Sequence, residues 1–169
     1  MERYVPTLLA LVLLVGAVTG YAVGVGAFTD PPPLDEPRVE RFERTASGCR
    51  GTIDPSGGTT VGPGGRFVSS GMMDTGSPDA DLAMEITRTS PDGARITTYR
   101  VDLASYTEDG DGNGTCAGEA AYRLNLTVDY REAMRVAVYE EGEAASCGGT
   151  GCSAVMADEQ RRWWANGTV

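Results

Sequence analysis

The stretch Ala121-Tyr-Arg-Leu-Asn-Leu-Thr-Val-Asp-Tyr130 alternates apolar and polar residues without a break. Tyr122, Leu124, Leu126, Val128 and Tyr130 fall on one face, with Arg123, Asn125, Thr127 and Asp129 on the other. Side chains of an extended chain point to opposite sides in turn, so this period marks a strand with one face buried. Downstream, past a turn at Arg131-Glu132, Met134, Val136 and Val138 make a second inward row. Upstream, Leu82, Met84 and Ile86 alternate with Ala83, Glu85 and Thr87. Ser90-Pro91-Asp92-Gly93 then places Pro and Gly at favoured turn positions, and Tyr99, Val101 and Leu103 carry the return strand. Weaker strands are expected at Arg50 to Asp54, Arg66 to Met72 and Ala144 to Cys147. The pattern predicts a mainly β domain, an antiparallel β-sandwich spanning 49–153.

Further toward the amino terminus the chain changes character. Tyr4 to Phe28 contains no charged side chain. As a helix, about 25 residues would extend roughly 37 Å, enough to cross a hydrocarbon core of about 30 Å. The expected layout is a cytoplasmic tail at 1–3, a single transmembrane helix at 4–28, a Pro-rich and acidic spacer at 29–48, the sandwich, and a short helix with tail at 154–169. A cleaved signal peptide is the competing reading, with Val25-Gly26-Ala27 as its cleavage site. Arg38, Arg41 and Arg44 beyond the span favour a cytoplasmic domain on the positive-inside count. They are interleaved with Asp35, Glu36, Glu40 and Glu43, and the cysteines and sequons below argue the opposite way. The expected placement is the cell membrane, N-terminus inside and C-terminal domain extracellular. Three prolines at Pro31 to Pro33 stiffen the spacer, and Val39 to Thr45 is expected to add one or two helical turns.

Within the span, Gly16, Gly20 and Gly24 recur every four residues. Small residues at that spacing make a helix face for close packing, with a second copy or another membrane helix as the partner.

Composition excludes much chemistry. The chain has 14 basic residues, all arginine, against 24 acidic ones, with no lysine and no histidine, for a net charge of −10. No Ser-His or Cys-His system, histidine metal ligand or Schiff-base lysine can be built from it. An acidic domain without a basic face is a poor nucleic-acid binder. The acidic, lysine-free composition resembles that of haloarchaeal proteins, which implies a surface suited to molar salt, where the Debye length is about 3 Å.

Four cysteines, Cys49, Cys116, Cys147 and Cys152, lie in the predicted domain. In an oxidising exterior an even number reads as two disulfides, with three connectivities open. The expected pairing is Cys147–Cys152, closing a short loop, and Cys49–Cys116, tying the domain entry to its middle. A four-thiolate zinc site is the rival, weakened by the lack of paired CxxC spacings. Asn113, Asn125 and Asn166 each begin an Asn-x-Thr triplet, the acceptor pattern for glycosylation.

Asp109-Gly-Asp-Gly-Asn-Gly114 matches the first half of a calcium loop, making Asp109, Asp111 and Asn113 candidate Ca²⁺ ligands. The twelfth position is Ala120 where that loop needs a bidentate Glu. Asp74-Thr75-Gly76-Ser77 resembles the active-site turn of aspartic proteases, which implies a paired carboxylate across a dimer. The resemblance covers about six residues and lacks the family's later apolar-apolar-Gly motif. An N-terminal apolar segment before a β-rich head is also similar to the layout of pilins, whose processing glycine is missing here. The functional expectation is a non-enzymatic, single-pass surface protein presenting an acidic β-domain to a surface ligand of unknown identity, or as envelope structure. A carboxylate-based envelope enzyme is the alternative.

Overall fold

The computed structural model describes residues 33–55, 57–107 and 116–158. The candidate transmembrane segment 4–28, with Gly16, Gly20 and Gly24, lies outside them. So do Asp109, Asp111 and Asn113 of the calcium-like loop and the sequon at Asn166. Among the described residues no helix is long and apolar enough to cross a membrane.

Among the described residues eight strands follow one another: β1 (Arg38–Cys49), β2 (Gly58–Val61), β3 (Arg66–Thr75), β4 (Asp81–Arg88), β5 (Ile96–Tyr106), β6 (Gly118–Thr127), β7 (Ala133–Glu140) and β8 (Glu143–Gly149). They form two four-stranded sheets, ordered β1-β6-β3-β2 and β4-β5-β7-β8. The first sheet supplies Phe67, Met73, Tyr122, Leu124 and Leu126 to the core, and the second supplies Tyr99, Val101, Leu103, Met134, Val136 and Val138. One core shared between two facing sheets is a sandwich-like arrangement. The alternating face of β6 drives it. Tyr122, Leu124 and Leu126 are buried while Arg123 is exposed, and β6 pairs on both sides, with β1 and with β3.

The strands at Leu82 to Ile86, Tyr99 to Leu103 and Met134 to Val138 form as their alternation predicts. The Pro91-Asp92-Gly93 turn forms as well, with Ala94 N–H donating to the Pro91 carbonyl at 3.3 Å and Gly93 at φ 78°.

Three expectations are corrected. The helical turns at Val39 to Thr45 are instead part of β1, so the sheet begins inside the stretch read as spacer. The ladder to β6 explains the change. Phe42 faces Leu124 in register and packs against the core, and this tertiary pairing overrides the weak local helical signal. Arg50 to Asp54 forms a turn and loop rather than a strand. Finally, the sandwich is not purely antiparallel, because β5 and β7 run parallel. The chain crosses from β5 into the opposite sheet as β6 and returns as β7. Two reversals restore the original direction, and β6 serves as the long crossover that a parallel pair needs.

Short-range chemistry closes the ends. Glu141 (φ 48°) and Gly142 (φ 90°) form a two-residue hairpin between β7 and β8, with both central residues in the left-handed region. A helix, α1, begins at 152 and is described to 158, starting two residues before the expected 154.

Candidate functional site

Both disulfides form with the expected connectivity. Cys49, the last residue of β1, joins Cys116 just before β6, and Cys147 in β8 joins Cys152 at the start of α1. The described residues hold no free cysteine and no cluster of three or more His, Cys, Asp or Glu able to hold a metal ion. The zinc alternative is thereby replaced by two covalent links.

The first disulfide anchors a loop whose second tether is a hydrogen-bonded carboxylate. Glu119 on β6 is buried, with 3% of its surface exposed. Its carboxylate accepts the Ile53 N–H at 2.9 Å, with further backbone hydrogen bonds from Gly51 and Thr52. Stabilisation of the charged form by these donors holds the carboxyl below its ordinary range. Residues 51–53 are thus fastened to the sheet by an acceptor 66 positions away.

The remaining sequence candidates are dispersed. Asp74, the penultimate residue of β3, is exposed and ion-paired with Arg50 at 2.8 Å. Thr75 is buried and its hydroxyl donates to the Ser77 carbonyl at 2.8 Å, so Asp74 to Ser77 closes a strand and shapes the turn after it. Asn125 lies on the outward face of β6, as its place in the alternation requires, but between Arg41 of β1 and Val68 of β3. Its side-chain oxygen is buried without a hydrogen-bond partner among the described residues.

One concave feature involves other side chains. A cleft of about 440 Å³ opens beside the edge strands β2 and β8, lined by Gly57, Thr59, Gly71, Tyr122, Glu140 and Ser146 among others. Glu140 continues the inward row of Met134, Val136 and Val138, so the strand period carries a carboxyl group onto the core face at the end of β7. The Tyr122 hydroxyl donates to Glu140 Oε1 at 2.8 Å and also shares a hydrogen bond with Ser69. Ser69 is fully buried and lies 3.1 Å from the Ser146 hydroxyl and 3.3 Å from that of Thr59. Five polar side chains therefore join the two sheets in one network.

Burial of Glu140 raises its carboxyl above the ordinary range; the Tyr122 hydrogen bond opposes the shift and the charge of Asp74 adds to it. Burial also pushes the Tyr122 phenol up, reinforced by the Glu140 charge. Neither group has a cation beside it among the residues lining the cleft. Charge withdrawn from water without a counterion is costly. The sequence signal for Glu140 lies in the same alternation, two positions beyond Val138.

Compared with protein-family models, curated proteins and solved structures, the chain matches none. Any functional reading must be built from the cleft and the chain's own chemistry.

Proposed function

We propose that this chain is a membrane-anchored binding module, held outside the cell by its N-terminal apolar segment and contacting its ligand through the β2–β8 cleft. The observation that carries the binding role is the Glu140–Tyr122 pair, a polar group placed on a core face where it opens to a cleft. A sandwich serving only as a spacer has no need of such a pair, since apolar residues at those positions would pack at lower cost. Few, directed polar groups in a concave site are what a ligand-binding site requires. The exterior placement is supported by the apolar run of Tyr4 to Phe28 and by the two disulfides, which persist in oxidising compartments.

A second reading has one observation in its favour. A carboxyl group with a raised pKa in a cleft is also what general-acid catalysis uses. Asp74, the residue of the protease-like turn, sits on the outward face with Arg50 and supplies no second carboxyl to hydrogen-bond Glu140.

Intact mass of the non-reduced native protein, taken from the membrane fraction of its own host, tests the placement. Retention of residues 1–28 with no free thiol is expected. Free thiols with an otherwise unmodified chain would reverse the topology. Hydrolysis of a peptide library that is lost in Glu140→Gln would replace the binding module with the enzyme.

A further inference from the structure

We infer that the β2–β8 cleft takes a primary ammonium group carried on a short aliphatic body, an inference that rests on the binding-module reading and specifies its ligand. The charge balance of the lining comes first. Among the described residues Glu140 is its only ionisable group apart from the Tyr122 phenol, and no arginine lines the cleft. Asp74 adds negative potential at Glu140, and the whole chain carries −10. An anionic ligand is repelled by this field. A neutral one leaves the half-buried carboxylate uncompensated, whereas a cation removes the cost of its burial.

The kind of cation follows from the donors it must satisfy. Divalent metal ions need several oxygen ligands, commonly more than one carboxylate, and the described residues contain no cluster of three acidic or other metal-binding side chains. One Glu140 oxygen already accepts the Tyr122 hydroxyl, which disfavours the two-oxygen grip that a guanidinium prefers. An ammonium has three donors around a point charge and no planar requirement. The Glu140 carboxylate and the Thr59 and Ser146 hydroxyls supply acceptors in the same cleft. Met72 and Ala145 in the lining give apolar surface for a short carbon chain. A volume of about 440 Å³ exceeds that of a bare ion and falls within the range of small-molecule sites.

The test uses the full chain in detergent and molar KCl, titrated with n-butylammonium, butyrate and 1-butanol and followed by two-dimensional NMR of backbone amides. Saturable shifts at Gly57, Gly71 and Ser146 are expected with butylammonium and not with butyrate. Glu140→Gln, which keeps the shape and an acceptor for Tyr122, should weaken that binding at least about tenfold. Should Glu140→Gln fail to fold, Ala145→Trp fills the mouth of the cleft without removing a polar group and should abolish the shifts. Saturable binding of 1-butanol, equal in wild type and Glu140→Gln, would overturn the cation while leaving the cleft as a binding site. Equal displacement of the signals by added KCl alone would assign the charge to inorganic counterions and overturn the organic ligand. Absence of saturable shifts with all three probes would overturn both the ammonium and the binding reading.

Discussion

Tyr122 stands directly opposite Gly71 in the β3–β6 ladder, and a β carbon on Gly71 would lie 2.5 Å from the Tyr122 hydroxyl oxygen. The missing side chain is what lets the phenol cross the strand and reach Glu140 at 2.8 Å. Gly71→Ala therefore overpacks the spot, and a cost of about 1–3 kcal/mol is expected. Because the ring must shift, the Tyr122–Glu140 hydrogen bond should be lost at the same time. Urea unfolding measures the first effect and hydroxyl-proton NMR of Tyr122 the second. An alanine variant as stable as the parent, with that hydrogen bond intact, would show that the cleft does not depend on this close approach.

Glu119 and Glu140 should make opposite contributions to the pH dependence of stability. Glu119 is held below its ordinary 4.5, so the unfolded chain binds its proton more readily than the folded one. Its contribution is present above pH 4.5 and is lost as pH falls through the depressed folded value. For Glu140, burial raises the folded pKa above 4.5, and the folded state holds the proton longer. That contribution is present below pH 4.5 and disappears as pH rises through the raised value. Denaturant midpoints over this range check both signs. Glu119→Gln should flatten the acid limb, while Glu140→Gln should remove a decline on the side above 4.5. The same change of slope in both variants would contradict the assignment.

The alternation at Leu82 to Ile86, Tyr99 to Leu103 and Tyr122 to Val138 made the central strands legible, because burial on one face forces a period of two. β1 was not legible. Its charged residues Arg41, Glu43 and Arg44 blur the alternation, and its extended form is enforced by pairing with a strand about 80 residues later. β2 is four residues of Gly-Thr-Thr-Val, too short to show a period. The parallel β5–β7 pair could not be read locally, since it depends on which sheet β6 joins. Cysteine parity and loop size pointed to the two disulfides. The polar network beside the cleft was not legible because it is assembled from Thr59, Ser69, Tyr122, Glu140 and Ser146, on five strands, and no short motif marks such a set.

The two disulfides should differ in what they stabilise. Cys49–Cys116 spans 67 positions and Cys147–Cys152 spans 5. Restriction of the unfolded chain gives about 4 kcal/mol for the first and about 2 kcal/mol for the second in the loop-entropy model. Removing the first pair also frees the base of the loop that Glu119 fastens through Ile53. Paired Cys→Ser variants should therefore order clearly, with the 49/116 variant less stable and its 51–53 amides faster to exchange with deuterium. Equal stabilities would show that the long loop is already constrained in the unfolded chain.

Salt should stabilise the domain well beyond ordinary physiological strength. The chain's excess of acidic over basic residues gives −10, and the ion pairs that compensate it are local and largely exposed, such as Arg41–Glu43 and Arg95–Glu132. Exposed pairs of this kind contribute about 0–1 kcal/mol each, too little to offset repulsion spread over the whole surface. Lowering the salt from molar to about 0.1 M lengthens the Debye length from about 3 to about 10 Å, bringing carboxylates on neighbouring strands within range of one another. Thermal unfolding in a KCl series is expected to give a midpoint that climbs steadily into the molar range. Sodium sulfate strengthens apolar burial as well as screening charge, so KCl separates the two effects. A midpoint that levels off near 0.1 M would mean that the acidic excess is already neutralised at ordinary ionic strength, and the resemblance to molar-salt proteins would then be one of composition alone.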